Sequence, residues 1–378
     1  MRIIIAPDSF KGSLSAKEVS DAIESGIISV DSTIETEKIP MADGGEGTVD
    51  ALVSSTKGRL ISAKATDPLG REMTGRYGIL GDNATAVIEM AAVSGLPLVP
   101  ARVRNPLQTT TFGTGELIQN AIKLGCRTII IGIGGSATND CGTGMAQALG
   151  VMFKRKDGSV IDEYMRGGLL NEVDSIDMSG LSALIKDCDI TVACDVDNPL
   201  LGENGCAHVY APQKGANEKI VDKLEKAMSS FADVLERDTG EKVRDFPGAG
   251  AAGGLGAGLM AFLNAKLRPG IDLVLNAANF EQRISEADLI LTGEGKLDEQ
   301  TVYGKTIAGI TAVAKKHSIP VIALVGKFED SPKLYEMGLT SYFSICEGPV
   351  RMDYAVKNSK RLIKSLAERI IRMYLSSR

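Results

Sequence analysis

The sequence predicts an α/β protein with mainly parallel sheets, organised as two α/β domains. Short apolar segments alternate with helical patterns at both ends of the chain, and the segment between them differs in style. A length of 378 residues is also too great for one ordinary core and fits two domains. We expect one discontinuous domain at 1–55 plus 275–378, and an inserted second α/β domain at 56–274.

The N-terminal segment has the pattern of a βαβ unit. Residues 2–6 form a short apolar run that ends at Pro7, as in a buried parallel strand. Ser15 followed by Glu18 is a capping-box signature, and an apolar helical stripe follows it. A strand over 34–39 then ends in the sequence MADGGEGT.

The middle of the chain changes character. Three short alternating segments between 57 and 90, separated by turn sequences, predict a small antiparallel meander. Strands typical of parallel sheets return at 128–140 and 189–198. A polar helix is predicted at 217–238, and a glycine-rich stretch, GAGAAGGLGAG, follows it.

The C-terminal segment returns to a βα pattern. Strands are predicted at 287–295, where the strand runs into a glycine turn, at 319–326 and at 341–346. Helices are predicted at 305–317 and 353–375, the second of them amphipathic.

Composition excludes several classes of protein. Hydrophobic residues make up 44% and charged residues 24%, as in ordinary globular proteins. A net charge of -6 argues against a nucleic-acid partner, and 4% aromatics without tryptophan argue against stacking platforms. The first residues resemble neither a signal peptide nor a membrane span, and the six cysteines show no CxxC pairing. We expect a cytoplasmic protein with no membrane partner; its oligomeric state is not predicted.

One pattern recurs at the ends of the predicted strands. An apolar run is followed by a loop rich in Gly, Asp, Asn or Ser, in the stretches APDSFKGS, MADGGEGT, GIGGSATND, ACDVDNP and TGEGKLD. In open parallel sheets, ligands bind outside the carboxyl ends of the strands. Glycine amides approach anions closely, and aspartates hold magnesium. Each loop alone is more typical of an ordinary turn, but the five together indicate phosphoryl transfer.

Two nucleotide motifs were compared with the chain. The tripeptide Gly304-Lys305-Thr306 resembles the end of a Walker A loop, but Glu299 takes the place of that loop's first glycine, which argues against a P-loop. The stretch 132–137 matches the Rossmann pattern G-x-G-x-x-A, although the expected acidic residue after the next strand is not evident. A dinucleotide site therefore stays a minor alternative.

At these same loops the sequence resembles the type I glycerate kinases of bacteria. The matching stretches run in order from residue 3 to about 306: IIIAPDSFKGSLSA, PMADGGEGT, DPLGR, GTGELI, IGIGGSATND, ACDVDNPLLGENG, APQKGA, GAAGGLGAG and LTGEGKLDEQT. Cys141 departs from the glycine that the family leads us to expect there. The resemblance implies a glycerate kinase I fold with one flavodoxin-like and one restriction-endonuclease-like domain, and an active site in the cleft between them.

The resemblance also implies ATP-dependent phosphorylation of D-glycerate at the 2-hydroxyl, giving 2-phospho-D-glycerate and ADP, with Mg²⁺ as cofactor. Asp195 is our candidate for the carboxylate that accepts the substrate proton, and Lys11 for charge neutralisation. Asp43 is a third catalytic candidate, and the candidate magnesium ligands are Asp8, Asp43 and Asp195. The binding candidates are Asp8, Ser9, Gly44, Gly45, Gly134, Gly135, Ser136, Asn139, Asp197, Asn198, Gln213, Lys214 and Glu294.

Three other functions stay open at this point. The same scaffold is compatible with a kinase that forms 3-phosphoglycerate. The stretch 132–137 leaves room for an NAD(P)-dependent hydroxy-acid dehydrogenase. A sensor that binds a hydroxy acid without turnover is the third alternative. The sequence does not indicate which loop binds adenine.

Overall fold

The computed structural model describes residues 1–181, 183–302 and 306–376 of the chain. Gly304 and Lys305, from the tripeptide compared with a Walker A loop, lie outside the described residues. The strands are β1 (Arg2–Ile5), β2 (Glu35–Lys38), β3 (Arg59–Thr66), β4 (Glu72–Ile79), β5 (Thr85–Glu89), β6 (Thr128–Gly132), β7 (Met152–Lys154), β8 (Ser175–Asp177), β9 (Asp189–Ala193), β10 (Lys266–Arg268), β11 (Leu289–Leu297), β12 (Val321–Phe328) and β13 (Ser341–Ser344).

Helices alternate with most of these strands, as expected for an α/β protein. They are α1 (Ala16–Val30), α2 (Thr48–Ser55), α3 (Ala91–Ser94), α4 (Phe112–Lys123), α5 (Thr143–Ala148), α6 (Cys206–Tyr210), α7 (Glu218–Thr239), α8 (Ala251–Leu263), α9 (Gly270–Ala277), α10 (Phe280–Ile284), α11 (Thr306–Lys316), α12 (Pro332–Glu336) and α13 (Met352–Ser376). In the described part of the chain, no helix is both long and apolar enough to cross a membrane.

The chain divides into two compact units. Unit 1 consists of Met1–Asp43, Asp50–Lys57 and Ile271–Arg378. Unit 2 consists of Gly44–Val49 and Gly58–Gly270. The short stretch Gly44–Val49 thus belongs to unit 2, although unit 1 residues flank it on both sides in the sequence.

Unit 1 contains a five-stranded, fully parallel sheet in the order β13-β12-β11-β1-β2. Its central strand pair aligns Ile3 with Leu289 and Ile5 with Leu291, and these side chains belong to the apolar core. Such continuous apolar strands are typical of sheets covered on both faces. The predicted parallel strands at both ends of the chain are therefore confirmed.

Helix α1 of unit 1 begins as its sequence predicts. The Ser15 hydroxyl accepts a hydrogen bond from the Glu18 amide, and the Glu18 carboxylate accepts one from the Ser15 amide. This is the predicted capping box. The helix packs closely on α13, and the close approach requires glycine at position 26. A Cβ on Gly26 would lie only 2.6 Å from the Lys364 carbonyl oxygen.

Unit 2 contains a six-stranded mixed sheet in the order β10-β9-β6-β5-β4-β3. The four strands β10, β9, β6 and β5 run parallel, while β3, β4 and β5 form the predicted antiparallel meander. The meander is not a separate small sheet, because β5 also pairs in parallel with β6. A separate hairpin joins β7 and β8.

One local prediction was wrong. The glycines of TGEG do not form a turn, because β11 continues to Leu297 and pairs with β12 throughout that stretch. No element was predicted for the glycine-rich stretch after α7, and it is largely helical, since α8 spans Ala251–Leu263. Its helical geometry is interrupted at Ala252, Gly253 and Gly254, which all have positive φ.

Candidate active site

In unit 1, the candidates Asp8, Ser9 and Lys11 follow β1, Asp43 follows β2, and Glu294 lies within β11. These strands are neighbours, and pairing continues beyond β1, where the Asp8 amide donates to the Gly293 carbonyl at 2.8 Å. The sheet order changes direction here, because β1 has β2 on one side and β11 on the other. Such a switch point is where open parallel sheets form a ligand crevice.

Asp8 is a buried carboxylate at this edge, with only 7% of the residue exposed. Oδ1 accepts the Ser9 amide at 2.5 Å, and Oδ2 accepts the Thr306 hydroxyl at 2.7 Å. Burial raises the pKa of Asp8, and the nearby charge of Asp43 raises it further, against these two hydrogen bonds. An additional cation would favour the ionised form of this carboxylate.

Lys11 and Asp43 form a long, weak ion pair in the same unit. Lys11 Nζ lies 3.9 Å from Asp43 Oδ2, and the lysine side chain is 73% exposed. Exposed pairs of this kind stabilise little, so the ammonium group can move to another anion at low cost. The loop that carries Lys11 is itself ordered, because the Phe10 amide donates to the Leu14 carbonyl at 2.9 Å.

Glu294 lies on β11, within the stretch predicted to be a turn. Its carboxylate is nearly buried, and Oε1 accepts the Thr301 hydroxyl at 2.8 Å. Further along the strand, Lys296 Nζ lies 2.7 Å from the Asp298 carboxylate. The continued pairing of β11 with β12 therefore holds Glu294 on a rigid strand instead of a mobile turn.

The carboxylates of unit 1 fit a magnesium ion. Asp8 and Asp43 are close enough for the charge of one to raise the pKa of the other. Among the described residues, no group of three or more His, Cys, Asp or Glu side chains is arranged to hold a metal. Mg²⁺ is commonly held by one or two carboxylates together with water and substrate phosphates, so a pair is sufficient. Asp195 belongs to unit 2, and its role as a metal ligand stays a prediction.

In unit 2, four strand ends lie in one row across the sheet. Glu89 pairs with Gly132, Gly132 pairs with Ala193, and Ala193 pairs with Arg268. The carboxyl ends of β5, β6, β9 and β10 therefore lie side by side. Glu89 and Arg268 were not predicted as site residues from the sequence. An acid at the end of an apolar strand was the available signal for Glu89, whereas β10 is only three residues long.

The loop 44–49 packs against this row. Gly44 has φ +89°, and a Cβ there would lie 2.7 Å from the Ala193 Cβ and 2.8 Å from the Gly270 Cα. A Cβ on Gly132 would lie 2.6 Å from the Gly44 carbonyl oxygen. Only glycine allows such approaches of one backbone to another. The Glu89 carboxylate accepts the Val49 amide at 2.8 Å and so holds the end of this loop.

Asp195 lies two residues beyond β9 and is exposed at the same edge. Its Oδ1 accepts the backbone amide of Gly270 at 2.8 Å, and Gly270 lies two residues beyond β10. This hydrogen bond orients the carboxylate while leaving it accessible to solvent. The position suits a group that accepts a proton from a bound hydroxyl.

The glycines after β6 are exposed on a loop whose backbone is held in place. Gly134 and Gly135 are exposed, whereas Ser136 is buried. The Gly135 carbonyl accepts the Leu96 amide, and the Ala137 amide donates to the Ser94 carbonyl, both at 2.9 Å. The loop does not open a helix, because α5 begins only at Thr143. This differs from a Rossmann loop, where the helix starts within the glycine pattern.

Three further candidates lie elsewhere in unit 2. Asp197 and Gln213 are exposed. The Asn198 side chain is engaged at both ends, because its amide donates to the Asn204 carbonyl at 2.8 Å and its oxygen accepts the Tyr210 hydroxyl at 2.6 Å. Asn198 therefore shapes its own loop.

Asn139 and Lys214 are buried. The Asn139 amide nitrogen lies 3.9 Å from Cys206 Sγ, and Lys214 Nζ donates to the Thr138 carbonyl at 2.6 Å. This placement favours a role in shaping the loop 134–140 over direct contact with a ligand. The roles predicted for these two residues, like those of the other candidates, stay predictions.

Comparisons with known proteins cover nearly the whole chain. The model of the glycerate kinase family matches residues 3–375. A glycerate kinase from Bacillus subtilis (strain 168) is 50% identical over 371 residues, covering 98% of this chain and 97% of the relative. A glycerate 2-kinase from Escherichia coli (strain K12) is 48% identical over 360 residues, covering 95% and 94%. A crystal structure assigned as glycerate kinase 2 from Salmonella typhimurium LT2 is 44% identical, with a TM-score of 0.92 and coverage of 100% and 99%.

Proposed function

The chain belongs to the glycerate kinase family, and from this premise we propose that it transfers the γ-phosphoryl group of ATP to D-glycerate. The proposed acceptor is the 2-hydroxyl, so the products are 2-phospho-D-glycerate and ADP. The observation that carries the proposal is the similarity to a glycerate 2-kinase along 95% of this chain. Glycine loops and carboxylates at the strand ends of both sheets support the same chemistry.

The reaction needs one bond to form and one to break. The oxygen of the 2-hydroxyl attacks the γ-phosphorus, the bond from that phosphorus to the β,γ-bridging oxygen breaks, and ADP leaves. We assign the proton of the hydroxyl to the Asp195 carboxylate, which the Gly270 amide orients. Lys11 neutralises charge on the migrating phosphoryl group, since its weak pairing with Asp43 allows it to move.

Asp8 and Asp43 would hold Mg²⁺, with Asp195 as a third candidate ligand. When bound, the ion neutralises phosphate charge and orients the nucleotide. We propose that the backbone of the exposed glycines 134 and 135 binds nucleotide phosphates. Gly44, which is buried, and Gly45, which is half-buried, stay candidates for the same role. Ser9, Ser136 and Glu294 stay candidates for contacts with substrate or nucleotide.

Arg268 adds a group that the sequence analysis did not single out. It is exposed at the end of β10, in the same row of strand ends as Gly132 and Ala193. A guanidinium group binds a carboxylate in bidentate fashion. We assign Arg268 to the carboxylate of glycerate.

The alternatives lack comparable support. The relatives described above are kinases by name, and the loop 132–137 does not open a helix as a dinucleotide-binding loop would. We also propose a cytoplasmic location, where ATP is available. The six cysteines are all free, as is usual in a reducing compartment.

The test is turnover of ATP by the purified full chain with D-glycerate and Mg²⁺. Phosphorus NMR identifies the product, and coupling to enolase without a phosphoglycerate mutase detects only the 2-phosphate. We expect enolase-coupled turnover with D-glycerate and none without an acceptor. Turnover that appears only after a mutase is added would replace the proposal by 3-phosphoglycerate formation. Absence of ADP release with glycerate would refute a kinase.

A further inference from the structure

Lys214 is a cation buried in the interior of unit 2. The residue is 1% exposed and ends a short turn, Pro212–Lys214, between α6 and α7. Its Nζ donates to the Thr138 carbonyl at 2.6 Å. Burying an ammonium group is costly unless hydrogen bonds or opposite charge compensate it, so this contact needs a physical reason.

Opposite charge is present on the other side of the same loop. Asp140 is completely buried, and its carboxylate accepts the Thr111 amide and hydroxyl, both at 2.8 Å. It also accepts the amides of Gly142 at 3.2 Å and Gly144 at 3.3 Å. The charge of Asp140 acts on Lys214 and favours its protonated form. The segment 138–140 therefore carries one buried charge at Asp140, and the buried ammonium group of Lys214 contacts its backbone at Thr138.

The same segment is held by the backbone of α8. Gly253 has φ +74°, and a Cβ there would lie 1.9 Å from the Thr138 carbonyl oxygen. The Cys141 amide donates to the Gly253 carbonyl at 3.1 Å. The carbonyl that accepts from Lys214 is thus packed against glycine backbone as well.

Two oxygens in this segment lack a hydrogen-bond donor. Thr138 Oγ1 and Asn139 Oδ1 are buried, and the described part of the chain provides no partner for either atom. Unpaired buried oxygens make a negative environment that a nearby ammonium group stabilises. The interior end of the loop 134–140 is held by the charge-assisted hydrogen bond from Lys214 to the Thr138 carbonyl, while Gly134 and Gly135 at its other end are exposed.

We propose that Lys214 is a positioning residue for phosphoryl transfer, which holds the Thr138 carbonyl and thereby fixes the exposed glycines 134 and 135 for nucleotide phosphates. The inference rests on the proposed function. In this role Lys214 does not contact the ligand itself, because its ammonium group is buried against the Thr138 carbonyl. Because the loop is held at Thr138, glycines 134 and 135 already have one backbone conformation before the nucleotide binds. Binding therefore loses no further conformational entropy in this loop.

The first test compares three variants. Lys214→Met keeps the length of the side chain but removes its charge and donors, and Lys214→Arg keeps the charge. Lys223→Met, on the exposed face of α7, is the control. We expect Lys214→Met to lower kcat/KM for ATP by about 10- to 100-fold, Lys214→Arg to recover most of that loss, and the control to match the wild type. Wild-type kcat/KM for ATP in Lys214→Met would overturn the proposal.

A second readout separates positioning from a merely structural role. Burial lowers the pKa of Lys214 to about 8, against the partial compensation by Cys206 and Asp140. The other ionisable groups nearby are Glu225, whose charge acts on Cys206, and Cys141, on which Cys206, Asp140 and Glu225 act. We expect wild-type kcat/KM for ATP to fall as the pH rises through about 8, and Lys214→Arg to stay active to higher pH, since arginine does not titrate there. If kcat/KM for ATP depends on pH in the same way in the wild type and in Lys214→Arg, the proposal is overturned. This comparison holds even if Lys214→Met fails to fold.

A third readout does not depend on activity. Hydrogen exchange at the amides of residues 134–137 reports the order of the loop in the nucleotide-free protein. We expect faster exchange there in Lys214→Met and no change in Lys223→Met. If the wild type has no glycerate kinase activity but the loop exchanges faster in Lys214→Met, the proposed function fails while the holding of the loop stands. Unchanged exchange at 134–137 would overturn the positioning role itself.

Discussion

The buried Lys214 predicts an unusual dependence of stability on pH. The folded chain lowers the pKa of this lysine from 10.5 to about 8 because the site is desolvated. Below pH 8 the ammonium form is buried and destabilises the fold. This cost is relieved as the pH rises from about 8 towards 10.5, where the unfolded chain also loses its proton. The difference between these two pKa values corresponds to about 3 kcal/mol in the free energy of unfolding, at 1.36 kcal/mol for each pKa unit.

The measurement is urea denaturation of the wild type and of Lys214→Met at pH 7 and at pH 10. Other lysines, tyrosines and cysteines also titrate in this range, but they are common to both proteins and cancel in the difference. We expect the stability of the wild type relative to Lys214→Met to increase by roughly 2–3 kcal/mol between the two pH values. A difference that does not change with pH, or that changes in the opposite direction, would refute the reasoning.

Four other outcomes follow from the structure. Asp195→Asn should fold normally and lose about 10²–10⁴-fold in kcat, whereas Asp189→Asn at the other end of β9 should retain it; comparable kcat values for the two would rule out Asp195 as the base. Gly253→Ala should lower the free energy of unfolding in urea by at least ~3 kcal/mol, because the residue has positive φ and its new Cβ would overlap backbone atoms. Gly240→Ala is the control, since Gly240 also has positive φ but a Cβ there would meet nothing within 4 Å. Equal losses in the two variants would show that the overlap does not matter. Arg268→Met should raise KM for glycerate at least tenfold, equivalent to about 1.4 kcal/mol, with KM for ATP changed little; an unchanged glycerate KM contradicts the assignment. Chelation by EDTA should abolish turnover and added Mg²⁺ should restore it, so activity that persists in EDTA would exclude a divalent ion.

The parallel strands and the longer helices were predictable because their signals are local. β1 is an uninterrupted apolar run, and the Ser15–Glu18 capping box fixes the start of α1 within one turn. The amphipathic stripe of α13 likewise predicts its packing against the core of unit 1. In such segments, local preference and tertiary packing favour the same structure.

The local structure was not predictable from the sequence where tertiary pairing overrides local preference. Gly293 and Gly295 are poor strand formers, but β11 is held between β1 and β12 and continues through them. Gly253 and Gly254 are poor helix formers, yet α8 includes them because the close approach of the segment 138–141 requires glycine. A short sequence window contains neither of these partners.

The candidate site follows the same division. The positions of Asp8 and Asp195 at sheet edges were predictable because each lies within three residues of the end of an apolar strand. Arg268 was missed because β10 has only three residues and gains its strand conformation from pairing with β9. The burial of Lys214 was not predictable either, since its tripeptide PQK has no apolar pattern.

Two buried carboxylates show why burial alone does not identify a site. Burial raises the pKa of both Asp8 and Asp140. An ionised carboxylate accepts about four hydrogen bonds, and Asp140 receives four, from Thr111 and from the turn that begins α5. Among the described residues Asp8 receives two. Asp140 therefore has no capacity left for a ligand and serves the fold, whereas Asp8 retains lone pairs for a cation. The number of donors already engaged, more than burial or the pKa, distinguishes the carboxylate that can bind magnesium.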